Sequence, residues 1–100
     1  MEHLHYQLNT QTGDVIEVIL DHAANVLLLD MLNYTNYAAG QPFRYHGGYA
    51  QVSPYRIQPP RPGHWHLAVD LGGGAGSVRA SIQVISKVRR SPGEPATSNS

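Results

Sequence analysis

From Gly63 to Gly76 the chain reads Gly-His-Trp-His-Leu-Ala-Val-Asp-Leu-Gly-Gly-Gly-Ala-Gly, an alternating segment that runs straight into a glycine loop. Strand side chains alternate between two faces, so Trp65, Leu67, Val69 and Leu71 share one face and His64, His66, Ala68 and Asp70 the other. One face is apolar and the other largely polar, which predicts a half-buried strand with Trp65 in the core. The glycines that follow supply positive φ and predict a hairpin connection, with Asp70 placed to accept backbone N–H groups from it.

A chain of 100 residues can bury about 60–70% of its unfolded surface, enough for one core and one domain. It contains no cysteine, which rules out disulfides and thiolate metal sites and favours a reducing compartment. The start Met-Glu-His-Leu-His has neither the basic nor the apolar region of an export signal, and no apolar run approaches the ~20 residues that cross a bilayer. The expected protein is cytoplasmic and makes no membrane contact.

Charge is divided along the chain. Residues 1–43 carry Glu2, Asp14, Glu17, Asp21 and Asp30 with no Lys or Arg, whereas residues 44–100 carry seven Lys or Arg against Asp70 and Glu94. The two halves complement each other, either as neighbouring strands with matching rims or through head-to-tail self-association, which makes a homo-oligomer one expected state. Neither half is a dense basic patch, so nucleic acid is not an expected partner.

Seven strands are legible. Leu4, Tyr6 and Leu8 alternate with His3, His5 and Gln7; a turn at Gln11-Thr12-Gly13-Asp14 and the alternation of Ile16, Val18 and Leu20 then predict a hairpin. Asn25 to Met31 is nearly continuous apolar, as in a strand covered on both sides. Asn33 to Gly40 reads as a polar loop bearing tyrosines, with room for one helical turn. Phe43 and Tyr45 begin a further strand that Gly47-Gly48 interrupts. Tyr55 and Ile57 mark an edge strand, and Pro59-Pro60-Arg61-Pro62 a stiff connection into the Trp65 strand.

The last strand places Val78, Ala80, Ile82 and Val84 on one face and Arg79, Ser81 and Gln83 on the other. The predicted core is Leu4, Tyr6, Ile16, Val18, Leu28, Ile57, Trp65, Leu67, Val69, Ile82 and Val84. Short strands at intervals of about 8–12 residues, with no periodic segment for a crossover helix, indicate an all-β antiparallel sandwich of jelly-roll type. Residues 1–86 form the predicted domain. Residues 87–100, rich in Pro, Thr, Ser and Asn, read as a disordered tail.

Ala23-Ala24-Asn25-Val26, Leu29-Asp30, Asn33-Tyr34, Tyr37, Tyr45-His46-Gly47-Gly48, Ser53-Pro54, Pro62-Gly63-His64-Trp65 and Val69-Asp70-Leu71-Gly72-Gly73 follow one another along the chain. In that order, over about residues 3 to 86, they resemble the small bacterial family catalogued as domain of unknown function 1883. The resemblance implies a compact bacterial β-sandwich, found alone or joined to Toll/interleukin-receptor-type signalling domains. It carries over no catalytic residues.

Two histidine pairs, His3 with His5 and His64 with His66, each have the i, i+2 spacing that lets imidazoles on one strand face converge on an ion. Both pairs lie on the polar faces of their strands, where a rim histidine is ordinary, so no metal and no cofactor is expected. Ser77, His64 and Asp70 are the elements of a triad, but the chain has no Gly-x-Ser-x-Gly elbow, and an enzyme is not expected. The loop Gly72 to Ser77 lacks the lysine and helix start of a phosphate cradle.

The concentration of Asn33, Tyr34, Tyr37, Arg44, Tyr45, His46 and Tyr49 in irregular segments is the strongest functional signal. Tyrosine and arginine combine contact area, stacking and hydrogen bonding. These residues either close the open ends of a sandwich or form a surface for a protein or small ligand. The second reading makes the domain an interaction module acting through its tyrosine-bearing loops, and a structural, self-associating domain without a ligand is the alternative.

Overall fold

The core lies between two antiparallel sheets whose strands alternate along the chain. The computed structural model describes residues 2–86; the tail expected over 87–100 lies outside the described residues. In chain order the elements are β1 (Leu4–Thr10), β2 (Val15–Leu20), β3 (Ala24–Leu29), α1 (Met31–Ala38), β4 (His46–Ala50), β5 (Tyr55–Ile57), β6 (Gly63–Asp70) and β7 (Ala80–Ile85). One sheet has the order β1-β6-β3-β4 and the other β5-β2-β7. The protein is an all-β sandwich with one short helix.

Every connection except β3–α1–β4 passes from one sheet to the other. The turn at Gln11–Asp14 therefore forms as expected, with Asp14 N–H donating to the Gln11 carbonyl, yet it joins strands of different sheets and is no hairpin. The glycine loop after β6 likewise crosses to β7 in the opposite sheet. Alternation and turn residues specify that the chain reverses, not which neighbour the next strand takes.

Ile16, Val18, Val26, Leu28, Trp65, Leu67 and Val69 fill the space between the sheets, joined by Ala24, Ala50 and Ile57. Leu4, Tyr6 and Ile82 pack at its margin, as expected of core positions. Val84 does not: it is 36% exposed, because it sits near the end of the edge strand β7. The acidic and basic halves of the chain meet where β2 lies between β5 and β7. Arg56 Nη2 donates to Glu17 Oε2 at 2.8 Å, and Gln83 donates to Glu17 Oε1 at 2.9 Å.

The segment read as a polar loop is the helix α1. Asp30 is its N-cap and accepts the Asn33 N–H at 2.8 Å. It ends at Gly40, where φ is +74°, with Gly40 N–H donating to Tyr37 O and Gln41 N–H to Asn36 O. Asn, Thr and Tyr are indifferent helix formers. What holds the helix is the face bearing Tyr34 and Tyr37, which lies with Phe43 over Leu27, Leu29 and Ala68 on the outer side of the four-stranded sheet. The expected half-buried β6 is thus covered on both faces from Trp65 to Asp70.

The strand expected from Phe43 begins instead at His46, and Gly47-Gly48 lie inside it. Gly47 has a φ of +114°, and a Cβ there would stand 2.2 Å from the Val26 carbonyl oxygen of the adjacent strand. Gly47→Ala is expected to lower stability by about 2 kcal/mol or more, from strain and from displacement of β4. A urea midpoint equal to that of the parent would show that β4 moves without cost.

Candidate functional site

The sandwich has two open ends, and each carries a cleft. At one end the start of β1, the end of β6 and the glycine loop enclose ≈ 710 Å³ lined by His3, Leu4, Asp70, Leu71, Ser77 and Val78 among others. Its buried carboxylate, Asp70, is already engaged by the protein. Asp70 accepts Tyr37 Oη–H at 2.5 Å, Asn25 Nδ2–H at 2.9 Å and the Gly72 N–H at 2.8 Å. The last of these is the bond from the glycine loop that the sequence predicts.

Burial would push the Asp70 carboxyl up, but hydrogen bonds from Tyr37, Asn25 and Gly72, with a contribution from His3, outweigh it and hold the group below the ordinary range. The Tyr37 phenol is pushed far up by burial and by Asp70, so it remains a donor.

Between that network and α1, the histidines of β1 and β6 come together, since the two strands pair antiparallel with Gln7 opposite His66. His5 Nε2 and His66 Nδ1 lie 2.8 Å apart, and Tyr34 stacks on both rings, at 3.9 Å from His5 and 4.9 Å from His66. His3 Nε2 reaches Tyr34 Oη at 3.0 Å. The paired nitrogens of His5 and His66 are engaged with each other, and those of His64 with Asn9 and Gln7. Among the described residues no group of three or more His, Asp or Glu is placed to hold a metal ion. His64 and Asp70 stand at opposite ends of β6, so the elements of a triad with Ser77 are not assembled. His5 and His64 are exposed, as expected of rim residues, and His3 is half-buried, whereas His66 departs from that expectation. His66 is only 6% exposed, because α1 covers it.

The second cleft, at the other end of the sandwich, encloses ≈ 640 Å³ and unites most of the residues predicted as a binding surface. Asn33 reaches it from the first turn of α1, Arg44 and Tyr45 from the loop that follows, and His46 from the first position of β4. Leu28 and Trp65 contribute the apolar part, together with Phe43. Asn33 ties the site together: its Nδ2 donates to Asp30 Oδ1 at 3.0 Å while its Oδ1 accepts the Arg44 N–H at 2.8 Å. Asp30 lies below the ordinary carboxylate range, chiefly through the Asn33 N–H, with Arg61 and His46 adding to the effect against burial.

Three of the predicted residues lie elsewhere: Tyr34 and Tyr37 lock the helix to the sheet, and Tyr49, 60% exposed on β4, is outside the cleft. Arg61 and Trp65 were not predicted there. The Trp65 Nε1–H donates to the Arg61 carbonyl at 3.1 Å, and the Arg61 guanidinium lies 4.7 Å from the Trp65 ring centre. The signal was present as an arginine fixed in a proline-rich segment, four residues before the tryptophan.

The sequence matches the family described as domain of unknown function (DUF1883) over residues 1–88. The chain belongs to that family. The match includes both clefts and all eight elements. No curated protein and no solved structure matches the chain. Among the described residues, no helix is long and apolar enough to cross a membrane.

Two outcomes follow from these titratable groups. Burial, with His3 beside His5 and with His5 and His64 beside His66, holds both imidazoles below the ordinary histidine range. The unfolded chain then takes up protons first, so stability is full above about pH 6.5 and is lost as the pH falls through the depressed folded values. Urea midpoints at about pH 7.5 and about pH 5 should show this loss, and His5→Gln should reduce it; a parent midpoint independent of pH over that window would contradict the arrangement. Tyr37→Phe should cost about 1.5–3 kcal/mol by leaving Asp70 Oδ2 without its donor. It should also move the Asp70 carboxyl titration upward, read by carbon NMR.

Proposed function

We propose that this domain is a binding module, not an enzyme, and that it recognises a small ligand through the cleft formed by Asn33, Arg44, Tyr45, His46, Arg61 and Trp65. The observation that carries this reading is the convergence of these side chains from the helix start, the following loop, β4 and the segment before β6 on one cavity of ≈ 640 Å³. That volume is in the range that small ligands occupy, and the mixture of aromatic walls with a few polar groups is typical of such sites.

The arrangement suits recognition because its backbone is held independently of any ligand. Asn33 fixes the main chain at Arg44, and Trp65 fixes it at Arg61. Binding would then order side-chain tips and little else, which limits its entropic cost. The clefts differ in this respect. At the glycine-loop end, Asp70, Tyr37 and Asn25 are committed to one another, so a ligand would have to displace existing bonds.

The test is a small-molecule screen on the full chain by amide NMR. Shifts confined to Asn33, Arg44, Tyr45, His46 and their neighbours, lost in Tyr45→Ala with an unchanged urea midpoint, would support the reading. Hits confined to the glycine-loop end would overturn it. So would a dimer, seen by sedimentation, whose contact covers Tyr45; that result would favour the self-associating alternative.

A further inference from the structure

Both arginines of the cleft have fixed backbones, and neither guanidinium makes a hydrogen bond among the described residues. The Arg44 guanidinium makes no hydrogen bond or ion pair among the described residues. Arg61 Nη2 forms a loose ion pair with Asp30 Oδ2 at 3.8 Å, too long for a hydrogen bond, and its guanidinium carbon lies 4.7 Å from the Trp65 ring centre. A guanidinium presents five N–H donors in a planar fork shaped for phosphate or carboxylate oxygens. Asp30 is the carboxylate of the cleft, so the two arginines leave one positive charge without a counterpart there. Its Oδ1 is also committed, to the Asn33 N–H and Nδ2–H.

The remaining walls are rings. Phe43 and Tyr45 lie 5.8 Å apart, and His46 meets Trp65 edge to face at 5.8 Å. Tyr45 is 48% exposed, leaving ring surface open for stacking. Arg61 lies over the Trp65 ring as a cation–π contact.

We infer that the cleft takes a small organic oxyanion borne on a flat ring, an aryl phosphate or aryl carboxylate, with its oxygens on Arg44 and Arg61 and its ring against the aromatic wall. This rests on the cleft being the recognition site and adds the class of ligand. Neither part of the ligand suffices alone: an inorganic anion leaves the rings unused, and a neutral ring leaves the guanidinium donors without acceptors.

The experiment uses the full chain and its single tryptophan, Trp65, whose fluorescence reports on the cleft directly. Phenyl phosphate, benzoate, inorganic phosphate and phenol are titrated at low ionic strength, and amide NMR on the same samples locates each binding event. Phenyl phosphate or benzoate should bind about tenfold or more tightly than phenol and inorganic phosphate, and the two anions compared with each other show which oxyanion is preferred. Arg44→Gln, at an exposed side chain, should remove about tenfold of anion affinity and leave phenol unchanged, and added salt should weaken the anions alone.

Phenol binding in the cleft as well as phenyl phosphate, or full anion affinity in Arg44→Gln, would overturn the anion while leaving the cleft as the recognition site. Shifts outside the cleft for every probe would overturn both.

Discussion

The buried carboxylate of Asp70 is the constraint on which the arrangement of the other elements depends. It ends β6 at a position 4% exposed, where an ionised group without donors would be untenable. Its donors come from three separate elements: Asn25 at the start of β3, Gly72 in the loop leaving β6, and Tyr37 near the end of α1. Meeting the demands of one side chain therefore sets the path out of β6, braces the β3–β6 pairing, and draws the helix onto the outer face of the sheet. Tyr37 stays a donor because burial and the carboxylate both oppose its ionisation.

Once Tyr37 anchors one end of α1, the placement of its other end has consequences for recognition. Tyr34 lies one turn back along the same face, over His5 and His66. The first turn then delivers Asp30 and Asn33 to the far end of the sandwich, and Asn33 captures the backbone of Arg44. The histidine layer and the candidate cleft are accordingly parts of one structure. Tyr34, which lies over both imidazoles, and Asn33 are neighbours on the same helix, so the element that covers the histidines also lines the cleft.

Most of the fold was legible because strand periodicity is local. The alternation of Trp65, Leu67 and Val69 put the correct face inward, and the unbroken apolar run Val26 to Leu29 correctly announced a strand covered on both sides. The helix was not read, although Asp30 before it and Gly40 after it are its boundary signals. Asn33, Thr35 and Asn36 contribute so little intrinsic helicity that only the tertiary contact of Tyr34 and Tyr37 decides the outcome. The same contact explains the burial of His66, which is polar and alternates with Trp65 but is covered by a residue 32 positions upstream in sequence. Of the site, Asn33, Arg44, Tyr45 and His46 were legible as a polar-aromatic cluster, whereas Arg61 and Trp65 enter through a sheet-to-sheet crossing that no local pattern encodes.

The two ends of the sandwich show how the same polar residue types serve stability at one place and availability at another. At the glycine-loop end the buried carboxylate of Asp70 is an acceptor, and neutral donors from strand, loop and helix engage it. At the other end the charged groups are arginines, whose many donors outnumber the acceptors that Asp30 can offer once its Oδ1 is engaged in capping α1. Among the described residues these fixed donors beside aromatic surface find no hydrogen-bond acceptor; water or an acceptor brought from outside can satisfy them. Water competes poorly with a ligand that also covers the rings, because displacing it from aromatic surface is itself favourable. The physical asymmetry between an end whose buried carboxylate is already bonded and an end with unmatched donors is therefore what favours the Arg44–Arg61 cleft over the larger cavity beside the glycine loop in the proposed recognition.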